Sequence, residues 1–272
     1  MHHSLFLKSD GSLWGMGRND YGQLGDGTIF DRNVSVQILL SDIASIAAGA
    51  HHNLLIKYDG SLWCMGRNDS GQLGNGFTAN LITPQQVLSS EVMAVSAGEG
   101  HSLLLKTDGS LWAAGDNDYG QLGNGTLDRN SSFVPVVDAN VTAMAAGARH
   151  SLYLDANGSL RGMGKNDAGQ LGDQTTVDKN SSVSVVAAGV SAVTAGAGHS
   201  YFLKTDGSLW AMGLNADGQL GLGDDANRSS PVEVVSSGAY RLPNHPAVVG
   251  QGSFFSLILD TSGSLRGMGQ ND

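Results

Sequence analysis

Short apolar runs alternate with turn residues along the whole chain, and the alternation is periodic. In HSLLLKTDGSLWAAGDNDYGQLGNG, from His101 to Gly125, the runs Ser102 to Lys106 and Ser110 to Ala114 are joined by Thr107, Asp108 and Gly109. Asp-Gly between two such runs predicts a β-hairpin, since Gly takes the positive φ that the turn requires. Further on, Phe133 to Val137 and Val141 to Ala146 are β-branched and small apolar runs separated by Asp138 to Asn140, which predicts two more strands. Runs ending in Ala47-Ala48-Gly49, Ser96-Ala97-Gly98, Ala145-Ala146-Gly147 and Thr194-Ala195-Gly196 carry small residues where little room is available. They are expected to be the innermost strands of tapering sheets.

Copies of this unit fill the sequence. The turn glycine falls at Gly11, Gly60, Gly109, Gly158, Gly207 and Gly263, so four successive spacings are 49 residues and the last is 56. Four strands in such a period is the measure of one β-propeller blade. The expected fold is all-β, a single propeller array over residues 1–272 with repeats at about 3–51, 52–100, 101–149, 150–198 and 199–254 and a partial one at 255–272. Counted from the second half of the first repeat, this gives five complete four-stranded blades after a two-stranded N-terminal remainder. An array left open in this way reads as a fragment of a longer protein, or as one whose edges a partner chain or a second copy covers.

The chain has 39 Gly in 272 residues, about twice ordinary usage, and 15% charged residues, well below it. Many tight turns between short strands produce that balance. A formal net charge of -10, with Lys and Arg scattered, argues against a nucleic-acid binder, which needs clustered cations to displace counterions. No apolar stretch approaches the length of a membrane span, so no membrane insertion is expected, and the N-terminus enters the repeat without a signal-peptide core. One cysteine, Cys64, rules out an intramolecular disulfide and sits in a slot held elsewhere by Gly or Ala, so it reads as a small core residue.

Comparison between repeats shows a paired exchange. Where the first hairpin strand ends in Lys8, Lys57, Lys106 or Lys204, the second carries Trp14, Trp63, Trp112 or Trp210; where it ends in Asp155 or Asp260, the second carries Arg161 or Arg266. Placed across a hairpin, the first kind predicts a cation–π contact and the second an ion pair, each worth about 1 kcal/mol or less when exposed.

Candidate chemistry is sparse. His3, His52, His101, His150 and His199 share one slot, which Phe255 fills in the sixth copy. Equivalent positions of separate blades do not converge on one ion, so these histidines are expected to be structural, bonded to backbone at the strand entry. The loop Asp116-Asn117-Asp118-Tyr119-Gly120 resembles a calcium loop only superficially, because its first position is Arg18, Arg67, Asp116, Lys165, Leu214 or Gln270 in turn and no bidentate acid follows. Its amides and carboxylates are expected to close Asx turns, and the adjoining Gly-Gln-Leu-Gly to bury one Leu. No catalytic, cofactor-binding or metal-binding set is predicted. The one segment that clearly breaks the symmetry is Ser236 to Phe254, where Tyr240, Arg241 and His245 are candidate partner-binding residues; a solvated insertion is the plainer reading of the same segment.

From Ala97 to Gly125 the pattern AAGxxHSLxLKxDGxLWxxGxNxxGQLGxG is almost complete, and it resembles the regulator of chromosome condensation repeat family over the whole chain. The resemblance implies a ring propeller, commonly of seven blades. Members include a nucleotide exchange factor for a nuclear GTPase, a plant photoreceptor and a bacterial enzyme inhibitor, so the fold does not carry one function. No chromatin-type basic tail or grouped Trp cluster is present, and Met16, Met65, Met163, Met212 and Met268, in a slot where many relatives have Trp, look more like bacterial or archaeal arrays. The expected function is a non-enzymatic protein-binding scaffold that uses blade loops on one face and needs no cofactor. Nucleotide exchange on a small GTPase and inhibition of an enzyme are the alternatives.

Overall fold

A computed structural model describes residues 3–39, 41–236, 249–251, 255–259 and 265–269. These residues form 22 strands and no helix, all paired antiparallel, in two compact units. The first unit, residues 1–118 and 128–139, holds three sheets: β1 (His3–Leu7), β2 (Leu13–Gly17) and β3 (Arg32–Leu39); β4 (Ile43–Ala48), β5 (His52–Lys57), β6 (Leu62–Gly66) and β7 (Leu81–Leu88); β8 (Val92–Ala97), β9 (His101–Lys106), β10 (Leu111–Gly115) and β11 (Asn130–Val137). The second unit, residues 119–127 and 140–272, holds β12 (Val141–Ala146), β13 (His150–Asp155), β14 (Leu160–Gly164) and β15 (Lys179–Val186); β16 (Val190–Ala195), β17 (His199–Lys204), β18 (Leu209–Gly213) and β19 (Arg228–Val235); and β20 (Val249–Gln251), β21 (Phe255–Leu259) and β22 (Leu265–Gly269). Within each sheet the strands lie side by side in chain order, the connectivity of a propeller blade.

The all-β blade reading therefore holds, with a correction to where a sheet begins. The N-terminal remainder has three strands, not two, and among the described residues four sheets, not five, have four strands, because the fourth strand of each sheet stays with the hairpin before it. The run Asp138 to Asn140 looks short enough for a hairpin, yet β11 and β12 do not pair. Asn140 has φ 70, as Asp42 and Glu91 have 73 and 71, and these residues turn the chain out of one sheet and into the next. The carbonyl of Asp42 then accepts the Tyr58 amide at 3.0 Å and that of Glu91 the Thr107 amide at 2.9 Å, docking each link on the following hairpin turn. The first strands do meet their counterparts, β4 against β8 and β12 against β16, as expected of innermost strands. A bulge recurs in each, between Ile43 and Ser45, Val92 and Ala94, Val141 and Ala143, and Val190 and Ala192, which the apolar pattern does not announce.

Burial is concentrated in the second and third strands. β5, β9, β13 and β17 are buried at every position but the last, while β7 alternates between exposed and half-buried. Leu54, Leu62, Cys64, Leu73 and Leu104 form one apolar cluster of the first unit, and Leu152, Leu160, Leu171, Phe202 and Met212 one of the second. Each fully buried side chain of this size contributes about 1.5–3 kcal/mol. Cys64 is a core residue as expected, and burial pushes its thiol pKa up.

The predicted hairpin contacts form in all four Lys/Trp copies. Lys8, Lys57, Lys106 and Lys204 Nζ lie 3.7, 4.2, 4.5 and 4.1 Å from the ring centroids of Trp14, Trp63, Trp112 and Trp210. Trp112 also donates Nε1–H to Ser110 Oγ at 2.9 Å, and that hydroxyl donates to Asp108 at 2.6 Å. The expected ion pair between Asp155 and Arg161 does not form. Asp155 instead accepts the Asn157 and Ser159 amides at 2.9 and 3.0 Å, because Asn157 occupies the place of the capping Asp108 and the carboxylate has moved to the turn's first residue. Asp260 and the side chain of Arg266 lie outside the described residues.

Candidate interaction face

Antiparallel order puts two turns at the same end of each four-stranded sheet: the short one from first to second strand, and the long one from third to fourth. The DGS turn and the link to the next sheet fall at the other end. At the loop end the two turns are bonded together. The Arg67 amide donates to His51 O at 2.9 Å, Asp116 to Gly100 O at 2.7 Å, Lys165 to Arg149 O at 2.9 Å and Leu214 to Gly198 O at 2.8 Å.

Beneath these turns lies a repeated polar floor. Asn166, fully buried, accepts the Leu171 amide at 2.9 Å and donates to Asp173 at 2.9 Å and to Thr175 O at 3.1 Å, while its own amide donates to Asp178 at 2.7 Å. Asn19, Asn68 and Asn215 make the matching bond to Leu24, Leu73 and Leu220. In the loop of Asp116 to Gly120 an expected Asx turn closes, with Asp116 Oδ1 accepting the Asp118 amide at 3.4 Å. Further Asx turns close beyond the equivalent loops at Asp26 and Asp173, and the central Asn spans five to eleven residues and knots the whole loop. The loop also latches onto the next sheet's outer strand: Gly27 and Gly76 amides donate to Ile82 and Ser131 carbonyls in the first unit, and Gly125 and Gln174 to Asn180 and Ser229 in the second.

The histidines of the shared slot whose bonds are seen, His3, His52 and His150, are structural, as expected, but they bond a side chain rather than backbone. His3 Nε2 lies 2.9 Å from Asn53 Oδ1, His52 Nε2 2.9 Å from Ser102 Oγ, and His150 Nε2 2.9 Å from Ser200 Oγ. Asn53, Ser102 and Ser200 spend their donors on the carbonyls of Gln23, Gln72 and Gln170, so the imidazole must donate and the proton sits on Nε2. Desolvation holds His52 at a pKa of about 3 and His101 and His199 at about 4, so all three are neutral at pH 7. A side chain at Gly49 would lie 2.6 Å from the His52 ring, and Gly147 and Gly196 face the rings of His150 and His199 as closely, which accounts for the glycine three residues before these histidines. Among the described residues no group of three or more His, Cys, Asp or Glu is placed to hold a metal ion.

Over this constant floor the exposed slots differ from repeat to repeat. In the first unit Tyr21 packs on His51 with ring centroids 5.1 Å apart, and the Arg67 guanidinium lies 5.4 Å from the Tyr21 ring. In the second unit the same slots hold Tyr119, Arg149 and Lys165; both cations lie 5.4 Å from the Tyr119 ring, and Arg149 donates to Tyr119 Oη at 3.1 Å. The copies that follow each of these carry Ser70, Gly100 and Asp116, and Ala168, Gly198 and Leu214. Asp116 pairs with Arg129 at 3.2 Å, and burial with the neighbouring Asp118 charge raises its pKa. Arg18, Arg67 and Lys165 each pair with the carboxylate two residues on, Asp20, Asp69 and Asp167, at 2.6, 2.6 and 3.0 Å.

A model of the RCC1-like domain matches residues 31–272, and one of the regulator of chromosome condensation (RCC1) repeat matches residues 2–23. The chain belongs to the RCC1-like domain family. The RCC1-like chain is similar in fold to human WBSCR16, with a TM-score of 0.81 and 23% identity over 95% of this chain and 70% of that one. It is similar also to yeast RCC1 (Prp20) in its complex with Kap60, with a TM-score of 0.83 and 20% identity over 98% of this chain and 68% of that one. Prp20p from Saccharomyces cerevisiae, whose structure was described together with its binding to Gsp1p and histones, gives 0.79 and 20% over 100% and 67%. No curated protein matches this chain in sequence.

The predicted partner-binding residues Tyr240, Arg241 and His245 lie outside the described residues of this RCC1-like chain. The slots of Tyr21, His51 and Arg67 carry the variable chemistry that the structure does describe, and a lengthened spacing does not point to them. Their signal is a set of columns that vary together beside columns that never vary.

Proposed function

We propose that this RCC1-like chain is a non-enzymatic, protein-binding module whose contact surface is the loop end of its blades. The observation that supports this is the contrast within each loop. Asn and His below are repeated and buried, while the slots above carry Tyr with two cations in one copy and Ala, Gly and Leu in the next. A rigid frame that presents different aromatic and charged groups at fixed spacing is the anatomy of a protein-recognition surface. The formal net charge of -10 fits a protein partner better than a phosphate backbone. Nucleotide exchange on a GTPase remains the second reading, supported by the fold alone. The bacterial or archaeal flavour of the Met-bearing repeats rests on sequence, and the human and yeast structures lend it no support.

The test is crosslinking of the intact chain to proteins of its source organism, compared with a Tyr21→Ala, Arg67→Glu, Tyr119→Ala, Arg149→Glu variant that keeps the parent's unfolding midpoint. A partner held by the parent and lost by the variant is the expected result. Partners held equally by both overturn the assignment of this face, and accelerated release of labelled GDP from a GTPase panel favours exchange.

A further inference from the structure

The loop slots of the second unit repeat one piece of geometry twice with different occupants. Tyr119 fills the space beside Arg149 and Lys165, whose turns are joined by the Lys165 amide and the Arg149 carbonyl. One repeat later the corresponding trio is Ala168, Gly198 and Leu214, joined by the same bond from the Leu214 amide to the Gly198 carbonyl. The frame under both copies is the same, since Asn166 and Asn215 make equivalent bonds to Leu171 and Leu220. Tyr has become Ala and Arg has become Gly, so the space is open. It forms a groove of about 340 Å³, lined by Ala168, Gly198 and Leu214 together with Arg149, Lys165 and Asp167. Leu214 packs close to Gly198, where a Cβ would lie 3.4 Å from the Leu214 side chain, and forms the apolar part of the floor.

We infer that this groove takes an aromatic side chain of a protein partner, flanked in that partner's sequence by acidic residues. The inference rests on the protein-binding reading above and adds the anchor and its chemistry. Tyr119 shows that the frame accepts an aromatic ring in this slot when the chain supplies one. Apolar contact with Leu214 and Ala168 selects the ring, while Arg149 and Lys165 on the wall select carboxylates beside it rather than cations. The exposed Asp167, 3.0 Å from Lys165, holds the ammonium at the rim in the absence of such a carboxylate. In the first unit the corresponding slots are Ser70, Gly100 and Asp116, with His51 and Arg67 in the wall positions; there Asp116, paired with Arg129, puts a carboxylate where Leu214 supplies the apolar floor.

The probes are the acetylated, amidated tripeptides Asp-Phe-Asp and Lys-Phe-Lys, titrated into the intact chain with leucine methyls labelled for NMR. Asp-Phe-Asp is expected to shift the Leu214 methyls with a Kd of about 1 mM, and Lys-Phe-Lys to bind about fivefold or more weakly. Ala168→Tyr, which copies the residue of the preceding repeat, should abolish the shift while the unfolding midpoint stays. Lys165→Asp, which copies the Asp116 slot, should reverse the preference between the two peptides. The inference is overturned if Leu214 does not respond to Asp-Phe-Asp at about ten times that concentration, if a folded Ala168→Tyr chain responds like the parent, or if Lys165→Asp leaves the preference unchanged. Loss of this response with retention of a crosslinked partner removes the groove and leaves the wider face standing.

Discussion

Asn166 and Ala168 stand two residues apart in one loop and obey opposite rules. The first is buried, accepts one backbone amide and donates to acceptors as far as eleven residues away, and every described repeat has Asn in its place. The second is half-buried at the loop surface, and its slot is Tyr21, Ser70, Tyr119, Ala168 and Asp217 in turn. A buried polar group must keep its partners, whereas a surface slot answers only to what touches it from outside. Repetition therefore marks the frame, and departure from repetition marks the places where recognition is free to evolve.

The comparison is broken most severely by changing the frame. Gly164 ends β14 with φ 102, and a Cβ there would lie 2.7 Å from Arg149 O and 2.8 and 3.0 Å from the Cα atoms of His150 and Gln121, all backbone that cannot step aside. Gly164→Ala is expected to cost more than about 3 kcal/mol, measured by urea unfolding of the intact chain. Next comes Asn166→Ala, which leaves the Leu171 amide without its acceptor and releases the loop up to Val177; about 2–3 kcal/mol is expected in the same assay. Ala168→Tyr, two residues away, should stay within about 0.5 kcal/mol of the parent. If Asn166→Ala proves as mild as Ala168→Tyr, the division into frame and free surface fails.

Acid attacks the frame through its histidines. The folded chain holds His52 at a pKa of about 3 and His101 and His199 at about 4, below the unfolded value of 6.5, so between those limits the unfolded chain binds more protons. Stability is therefore full above about pH 6.5 and falls as the pH drops toward 4, by at most about 1.4 kcal/mol per pH unit for each histidine. The midpoint for urea unfolding, followed from pH 7.5 to 4.5, should decline over that window. His101→Asn should flatten the decline, and a flat profile in the parent would mean that these rings are hydrated.

The blades were legible in the sequence because turn chemistry and apolar runs repeat at a fixed distance, and the Lys-on-Trp contacts because two columns change together. The placement of the fourth strand was not legible. Asn140 and its counterparts look like hairpin residues, and only their backbone conformation sends the chain into the next sheet. The histidine bond was missed in part because its partner is about fifty residues away, in a column whose Ser or Asn has no distinctive pattern. A further coupled pair went unread: Asp26 with Arg32 at 2.6 Å and Asp173 with Lys179 at 3.3 Å, where copies with Asn75 or Asn124 have Leu81 or Asn130 in place of the cation. The notch at Ala168 was invisible for the opposite reason, since small residues announce nothing until the frame around them is seen.

The smallest effect separates the two kinds of hairpin turn. In the Lys/Trp copies, Asp108 and its equivalents bond the Ser amide from the middle of the turn; in the copy with Asp155, that task is done from the turn's first residue, and Asn157 takes the vacated place. The charge swap of Lys for Asp is thus explained by capping rather than by attraction to Arg161. Asp155→Ala is expected to cost about 1 kcal/mol by losing two amide bonds, and Arg161→Ala much less. Asn157→Asp alone should be nearly neutral, because the turn is already capped. Added to Asp155→Ala it should recover most of the loss, since it rebuilds the arrangement of Asp108 and Ser110. Urea unfolding of the two single variants and the double variant measures that coupling directly. Additive effects would mean that the two carboxylate positions are not alternatives, and the ion pair with Arg161 would again have to be considered as the reason for the exchange.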